Sequence, residues 1–410
     1  MEVVTIVLVC LTASYVLSEA LRSIKLPRVL GPVLVGFILG LPALEGVFLG
    51  AGSGREVLEA FSQLGLIFLM FYSGLNLNLG SLRDERKNAL SIISLSFGLP
   101  FLIGFLVLWL VFGFPFLLSV LVGALLSISA EAVSVDVLRE LDVLEGRIGQ
   151  LVLAVGTMDD VVEVTVLSVV VALVAGAVES FTIAFLHLII LVGIVYVSRY
   201  LVVPLVLRLV GSRSRKSELL VASLIMVLFM SVAADVVFKN LAGGLRGVGM
   251  VVGALIAGVV VRYTLIEDEE EEEREEITDL IEVVTFGFFS PFFFIKVGME
   301  TDISLFFSSP GLGLALFFIV MLFQPLGAAV GNVLAGHGFW EGLSIGFGLS
   351  TKGGVELIAA SLLLSAGVIS EEFFTAIIMM AFFATLISPV LFKSLSARVI
   401  GGSVEGAPEE

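Results

Sequence analysis

The fold is decided by residues 150–165, which read QLVLAVGTMDDVVEVT. This stretch lies in an apolar run over residues 148–175, yet it contains Asp159, Asp160 and Glu163. A charged group at the centre of a transmembrane helix costs about 2.5–3.5 kcal/mol on insertion scales. Carboxylates are retained at that depth where they face a water-filled cavity, so the stretch indicates a functional span of a membrane protein.

The composition of the whole chain agrees with a lipid environment. The 410 residues are 58% hydrophobic and 15% charged, with a mean hydropathy of +1.14, whereas roughly a quarter of a soluble domain is charged. A membrane-spanning helix needs about 20 mainly apolar residues. We therefore predict an all-α polytopic membrane protein with thirteen transmembrane spans, at 3–22, 28–45, 57–78, 88–112, 115–138, 148–175, 180–208, 217–237, 247–264, 277–298, 310–336, 340–367 and 371–397.

The charge distribution predicts the orientation. The formal net charge is −16, which disfavours nucleic acid as a partner because phosphate binding needs a basic surface. With the N-terminus outside, the cytoplasmic connections hold 16 Lys and Arg residues and the outer connections hold 3. This asymmetry follows the positive-inside rule, so we expect a multi-pass protein of the cell membrane with a cytoplasmic C-terminus.

One membrane unit is expected over residues 1–398, followed by a short, disordered cytoplasmic tail at 399–410. A run of acidic residues, Glu267–Glu276, lies in a predicted cytoplasmic connection. Such runs are usually solvated and disordered, which is the interpretation adopted for this one. A gate that responds to cations or pH is the alternative.

The second half of the chain repeats features of the first. The matched stretches are FYSGLNLN (71–78) with IKVGMETD (295–302), LSISAE (126–131) with LSTKGG (349–354), and Gly36 with Gly253. Their offsets are 224, 223 and 217 residues. Because seven spans separate the partners, the two copies have opposite orientations in the membrane. Inverted repeats with a binding site near the midplane are typical of secondary transporters.

Spans 5 and 12 each contain a patch of small and polar residues inside an apolar helix. The patches consist of Ser127, Ser129 and Glu131 in one span, and of Ser350, Thr351, Lys352, Gly353, Gly354 and Glu356 in the other. They predict two crossed, discontinuous helices, because unwound backbone at membrane depth survives only where protein or water satisfies it. Glu131 and Lys352 are predicted to neutralise the partial charges of the half-helix ends. Two unbroken helices in polar contact are the alternative.

The acidic pair is predicted to contain two unequal residues. Adjacent helical residues point about 100° apart, so Asp159 and Asp160 cannot both face one cavity. Thr157 shares a face with Asp160 and offers a hydroxyl oxygen, and Glu163 is expected to line the same vestibule. Desolvation favours a neutral carboxylic acid, and oxygen ligands suit hard cations such as Na⁺. The pair is therefore predicted to hold either a proton or a transported cation; a purely structural role is the alternative.

Two lysines inside predicted spans can pair with these carboxylates. Lys296 lies near the end of span 10, so an extended side chain that reaches the interface is the alternative for it. Glu356 follows Lys352 at i+4, so an intrahelical ion pair is the alternative there. Gln324 and Pro325 interrupt span 11, because proline lacks an amide donor and leaves a carbonyl free.

Several further motifs run through the chain: LPRVLGPVLVG (26–36), LGLIFLMFYSGL (64–75), VLREL (137–141), MDDV (158–161), FFIKVGM (293–299) and KGGVEL (352–357). With these motifs the chain resembles the monovalent cation:proton antiporter superfamily, in the Na⁺/H⁺ exchanger branch that contains NapA and the membrane domain of the Kef systems. The motifs occur in family order and cover the chain nearly end to end.

The resemblance implies a thirteen-span fold whose spans 1–3 and 8–10 form a dimerisation part. Spans 4–6 and 11–13 then form a core part that moves past it. The resemblance also implies that Asp160 binds the cation and the proton and that Asp159 is its partner. Gln324 occupies the position of the family's span-11 lysine, and Glu131 that of a threonine in span 5.

We therefore expect a secondary active transporter, not an enzyme, that acts as a homodimer. It is expected to exchange a monovalent cation, with Na⁺ favoured, for protons by alternating access, without a resident cofactor. The main alternative is a K⁺/H⁺ antiporter. More distant alternatives are a sodium-coupled solute symporter and a membrane sensor that transports nothing.

Overall fold

The structure is a computed structural model. It describes residues 3–23, 28–41, 44, 54–76, 86–129, 148–149, 151–152, 154–156, 158–159, 162, 166, 170, 196–197, 200, 204–205, 215–242, 248–266, 271–308, 310–352 and 355–405. The helices are α1 (Val3–Ser23), α2 (Leu30–Leu39), α3 (Gly54–Asn76), α4 (Arg86–Leu106), α5 (Phe116–Ser127), α6 (Arg215–Ala242), α7 (Val248–Val261), α8 (Glu271–Val284), α9 (Ser290–Glu300), α10 (Ile303–Ser308), α11 (Pro310–Phe318), α12 (Gln324–Leu334), α13 (Phe339–Leu349), α14 (Val355–Ser365) and α15 (Glu371–Glu405).

These helices account for the hydropathy pattern. Within the described residues, eight helical segments are long and apolar enough to cross a membrane, and three shorter apolar helices lie at the predicted spans 2, 5 and 12. The predicted spans 6 and 7 fall largely outside the described residues. The described part of the chain contains helices and connections and no strand. The predicted all-α membrane architecture is confirmed.

In the described part of the chain, π-helical turns extend or join the helices, and two of these turns each connect a pair of helices into one longer rod. Such turns follow α4 and α7 at Val107–Val111 and Arg262–Ile266, and they link α8 to α9 at Thr285–Phe289 and α11 to α12 at Ile319–Phe323. The last of these turns ends directly before Gln324. π-Helical turns are rare and frequently lie at functional sites.

One compact unit comprises residues 1–17, 31–77 and 167–300. A core of buried side chains joins α1, α2, α3 and α9 and consists of Ile6, Cys10, Val35, Leu58, Phe292 and Ile295. The helices of this unit approach each other closely at glycines. A methyl group at Gly36 would collide with the carbonyl of Ile295, and one at Gly74 with the carbonyl of Leu255.

The other compact unit comprises residues 18–30, 78–166 and 301–410. Its core draws side chains from α4, α12, α13, α15 and the segment that precedes Asp159; the members are Ala89, Ile92, Ile93, Ile148, Leu151, Val152, Val155, Ala328, Ile345, Leu349 and Phe392. Every residue of the candidate site described below, apart from Lys296, belongs to this unit. The core therefore holds the elements that carry the site.

Helix packing within each unit follows the sequence repeat. In the first unit Gly36 of span 2 meets Gly298 of span 10, and Gly74 of span 3 meets Gly258 of span 9. The packing thus makes Gly258, at an offset of 222 residues, the counterpart of Gly36. It replaces the predicted counterpart Gly253, which packs against α6 instead.

The second unit repeats its own packing in the same way. A methyl group at Gly123 of α5 would lie 2.9 Å from the carbonyl oxygen of Phe101 in α4. One at Gly346 of α13 would lie 2.9 Å from the carbonyl oxygen of Pro325 in α12. Gly123 and Gly346 are 223 residues apart. The repeat seen in the sequence is therefore also a repeat of helix contacts.

Two predictions of disorder were wrong over the described residues. Helix α8 begins at Glu271, inside the acidic run, because a buried stripe with Ile277 and Ile281 follows at helical spacing. Helix α15 continues to Glu405, so the tail is helical up to that residue. Both segments extend a hydrophobic helix, and helix growth from an existing turn is favourable.

Candidate functional site

Two helices end where the sequence predicts interrupted spans. Helix α5 ends at Ser127, and Ile128 has an extended backbone with φ −69° and ψ 148°. Helix α13 ends at Leu349, and α14 begins only at Val355. The predicted interruption of span 12 is confirmed. The continuation of span 5 beyond Ser129 lies outside the described residues, so the predicted crossing of the two helices stays a prediction.

Gln324 brings the two helix ends together. It starts α12 and is 1% exposed. Its amide nitrogen donates to the carbonyl oxygens of Ser127, at 3.2 Å, and Leu349, at 3.0 Å, and to the hydroxyl of Ser129 at 3.0 Å. Two N–H groups are thus shared among three acceptors. One side chain therefore satisfies the last carbonyls of both α5 and α13, which have no partner within their own helices.

Lys352 supplies a positive charge at the same place. Its ammonium group donates to the carbonyl of Ile128 and to the amide oxygen of Gln324, the latter at 3.0 Å. The side chain is 1% exposed. The C-terminal end of a helix carries a partial negative charge, so an ammonium group just beyond α5 is stabilised there. This position supports the predicted role of Lys352 in neutralising a half-helix end.

Asp159 is held against the end of α5. It is 2% exposed, and its Oδ2 accepts the backbone N–H of Ser129 at 2.7 Å. Lys352 attracts this carboxylate electrostatically, and Glu356 repels it. In the part of the chain that the structure describes, Oδ1 of Asp159 has no hydrogen-bond donor. A buried carboxylate oxygen without a donor is a ready ligand for a proton or a cation.

Together these residues form one hydrogen-bonded chain. We call Asp159, Ser129, Gln324 and Lys352, with the carbonyls of Ser127, Ile128 and Leu349, the break-point cluster. Lys352 bonds to Gln324, Gln324 to Ser129, and Ser129 to Asp159. Lys352 is thus connected to Asp159 through Gln324 and Ser129.

Thr351 and Glu356 lie beside the cluster, both 1% exposed. The Thr351 hydroxyl donates to the carbonyl of Gly348 at 3.1 Å, which satisfies part of the end of α13. Glu356 lies in the first turn of α14, whose N-terminal end stabilises a negative charge. Lys352 precedes α14, so Lys352 and Glu356 do not lie within one helix.

Two hydroxyl groups of α15 complete the site and were not predicted from the sequence. The Thr385 hydroxyl accepts the backbone N–H of Lys352 at 2.9 Å and donates to the carbonyl of the same residue. The Ser388 hydroxyl donates to the carbonyl of Phe347. The available signal was the sequence TLISP (385–389) inside an apolar span, with both hydroxyls three residues apart on one helix face.

Of the remaining predicted site residues, the structure describes only Lys296. Asp160, Thr157, Glu131 and Glu163 are outside the described residues. Lys296 belongs to the other compact unit, where it pairs with Glu59 at 3.7 Å and Glu300 at 3.6 Å. The side chain of Lys296 is 29% exposed, which agrees with the alternative that it reaches the interface.

The cluster combines features that suit an ion-exchange site. Its backbone is irregular, its polar groups are buried, and it offers carbonyl, hydroxyl and carboxylate oxygens close to a fixed positive charge. Within the described residues, no group of three or more His, Cys, Asp or Glu side chains is placed to hold a metal ion. The oxygen atoms of the cluster, with the Asp159 carboxylate among them, are of the kind that hard cations prefer.

Comparison with known proteins gives a consistent result. A family model described as sodium/hydrogen exchanger, transmembrane, matches residues 5–395. The Na(+)/H(+) antiporter of Enterococcus hirae is 26% identical over 97% of this chain and 99% of its own. The Na(+)/H(+)-K(+) antiporter GerN of Bacillus cereus is 28% identical over 90% of this chain and 89% of its own.

A solved structure has a similar fold. The sodium proton antiporter MjNhaP1 from Methanocaldococcus jannaschii matches with a TM-score of 0.64 and covers 96% of each chain. The sequence identity is 18%, so this likeness bears on the fold alone.

Proposed function

The chain belongs to the sodium/hydrogen exchanger family, as its motifs predicted, and we propose that it exchanges Na⁺ for protons across the cell membrane. Its relatives of known activity are transporters rather than enzymes. The proposed exchange takes place by alternating access at the acidic pair Asp159 and Asp160. It uses the transported ions alone and no resident cofactor.

The observation that carries this proposal is the environment of Asp159. A carboxylate that is 2% exposed is bonded to the backbone at the end of α5 and connected to a buried lysine. A charge buried at membrane depth is costly unless it is paired and used. Asp160 is the next residue in the sequence, and the proposal assigns the exchange to this neighbour of Asp159.

In the proposed cycle Asp160 is the exchanging carboxylate and Asp159 its anchored partner. Asp160 loses a proton on one side of the membrane and then binds the cation, with Thr157 as a further oxygen ligand. The cation leaves on the other side and a proton replaces it. Because one carboxylate cannot hold both ions, competition for it couples the two fluxes.

Architecture and orientation belong to the same proposal. Spans 1–3 and 8–10 form the dimerisation part of a homodimer, and spans 4–6 and 11–13 form the core part that moves. The chain divides into two compact units near residues 78, 167 and 300, and residues 18–30 belong to the second unit. Apart from this short segment, the division supports the assignment. The N-terminus lies outside and the C-terminus in the cytoplasm, in line with the distribution of Lys and Arg.

A second candidate is K⁺/H⁺ exchange, which is favoured by the name of one relative, an antiporter of Na⁺, H⁺ and K⁺. The purified protein in proteoliposomes distinguishes the two candidates. Na⁺, K⁺ and Li⁺ are added in turn, and the internal pH is followed with the membrane potential clamped and unclamped. Na⁺ is expected to drive the largest proton flux. A larger flux with K⁺ would favour the second candidate, and no flux with any cation would refute antiport.

A further inference from the structure

Helix α15 carries a row of buried hydroxyl groups that face the interrupted span 12. Thr385, Ser388 and Ser396 are each at most 1% exposed. Ser396 bonds to the hydroxyl of Ser344 in α13 at 2.7 Å, Ser388 bonds to the carbonyl of Phe347, and Thr385 bonds to Lys352. The row therefore follows span 12 from the body of α13 to the break.

The contact of Thr385 differs from the other two. Its hydroxyl accepts the N–H of Lys352 and donates to the carbonyl of Lys352. Both main-chain groups of one unwound residue are thus satisfied by one side chain. Lys352 lies between α13 and α14, where the regular hydrogen bonds of a helix are interrupted, and buried backbone groups need hydrogen-bond partners.

From this geometry we infer that Thr385 is a positioning residue for transport: it fixes the backbone of Lys352 so that the ammonium group reaches Ile128 and Gln324. The consequence passes along the break-point cluster. Gln324 holds Ser129, and the N–H of Ser129 binds Asp159. Thr385 therefore acts on the acidic pair through Lys352, without touching the ion. This inference rests on the proposed function.

The contacts predict a graded series of effects. Thr385→Val removes a hydroxyl that bonds to two backbone groups and is expected to have the largest effect. Ser388→Ala leaves Phe347 with the N–H of Ser350, which bonds to the same carbonyl at 3.2 Å, so its effect is expected to be smaller. Ser396→Ala removes a buried hydroxyl of the same row at a distance from the break and is the matched control.

The first readout is cation-driven proton flux in proteoliposomes over a range of Na⁺ concentrations. Thr385→Val is expected to raise the KM for Na⁺ by about threefold to tenfold and to change kcat by less than about twofold. Thr385→Ser keeps the hydroxyl group, so its KM is expected to stay within about twofold of the wild-type value. Ser396→Ala is expected to have the KM of the wild type within the same range. A general loss of packing would instead affect Ser396→Ala as well and would not be rescued by serine.

The second readout does not depend on transport. Hydrogen exchange of peptides that cover residues 345–356 is expected to become faster at Lys352 in Thr385→Val and to stay unchanged in Ser396→Ala. If the wild type shows Na⁺-driven proton flux, and Thr385→Val has an unchanged KM and unchanged hydrogen exchange at Lys352, the inference is overturned and the proposed function stays intact. Absence of flux in the wild type would overturn the proposed function, and with it the transport role of Thr385.

Discussion

Replacement of Gln324 by methionine tests whether its amide joins the ends of α5 and α13. Methionine has a similar length and volume but neither donates nor accepts a strong hydrogen bond. The change removes the two N–H groups shared by Ser127, Ser129 and Leu349, and it removes the amide oxygen that accepts from Lys352. The surrounding polar groups stay buried.

The magnitude follows from these contacts. Two neutral hydrogen bonds contribute about 1 kcal/mol each and the bond to a charged group about 1.5–3 kcal/mol, which gives a loss of about 3.5–5 kcal/mol. Burial of the more apolar methionine side chain stabilises the folded state by about 1 kcal/mol. The expected net destabilisation is therefore about 2.5–4 kcal/mol, which corresponds to a fall in melting temperature of about 5–15 °C for a unit of this size.

The assay is the fraction of purified protein that stays monodisperse in detergent after heating, measured by size-exclusion chromatography. Gln63→Met is the matched control, because Gln63 is exposed and its amide contacts the weak acceptor Met250 Sδ at 3.0 Å. The control is expected to lower the melting temperature by less than about 2 °C. If Gln324→Met and Gln63→Met lower the melting temperature equally, the amide of Gln324 does not hold the ends of α5 and α13, and the reasoning is refuted.

Two further predictions concern stability elsewhere in the molecule. The hydroxyl and backbone N–H of Ser304 hold the pKa of the Asp302 carboxyl below its usual range, so this group stabilises the fold above its ordinary pKa and loses that contribution as pH falls through the lowered value. The Asp302 carboxylate accepts the N–H of Ser304 in the first turn of α10 and so caps that helix. Asp302→Ala is therefore expected to lower the free energy of unfolding by about 1 kcal/mol at pH 7 and to match the wild type at strongly acidic pH. In thermal melts at both pH values, an equal destabilisation would contradict this cap. A methyl group at Gly298 would collide with the carbonyl of Val33 and lie 2.9 Å from Gly36 Cα, whereas one at Gly287 meets only a side-chain methyl at 3.9 Å. Gly298→Ala is expected to cost about 1–3 kcal/mol and Gly287→Ala much less; equal melting temperatures would refute the close approach of α2 and α9.

The interruption of span 12 and the end of α5 could be predicted from the sequence because their signal is local. Small and polar residues stand together where lipid would demand apolar ones, as at Ser127–Ser129 and Ser350–Lys352. The repeat was also visible, because both copies keep similar residues at a nearly constant offset. Local composition and spacing were sufficient for the architecture.

The connections within the site could not be predicted, because they join distant residues. Gln324 stands out in the sequence as a departure from the family pattern, yet its acceptor Ser127 lies 197 residues away. Thr385 was missed because a threonine in an apolar helix usually bonds to a carbonyl one turn earlier in its own helix. Only the packed structure places its hydroxyl against Lys352.

The predicted helix boundaries were wrong where charged residues or glycines dominated the local sequence. The acidic residues before Ile277 resemble a solvated connection, but the buried stripe of α8 extends the helix back to Glu271. Gly401 and Gly402 predict an end to the last helix, which nevertheless continues to Glu405. In both places the adjoining helix outweighs weak local preference.

The most direct test of the account is proton flux through Asp160→Asn in proteoliposomes. An inward Na⁺ gradient is imposed, the internal pH is recorded, and Asp302→Asn in a connection between helices serves as the control. The account predicts wild-type flux in the control and no Na⁺-driven flux in Asp160→Asn, because an amide cannot take up and release the exchanged proton. Undiminished Na⁺-driven flux in Asp160→Asn would contradict exchange at the acidic pair.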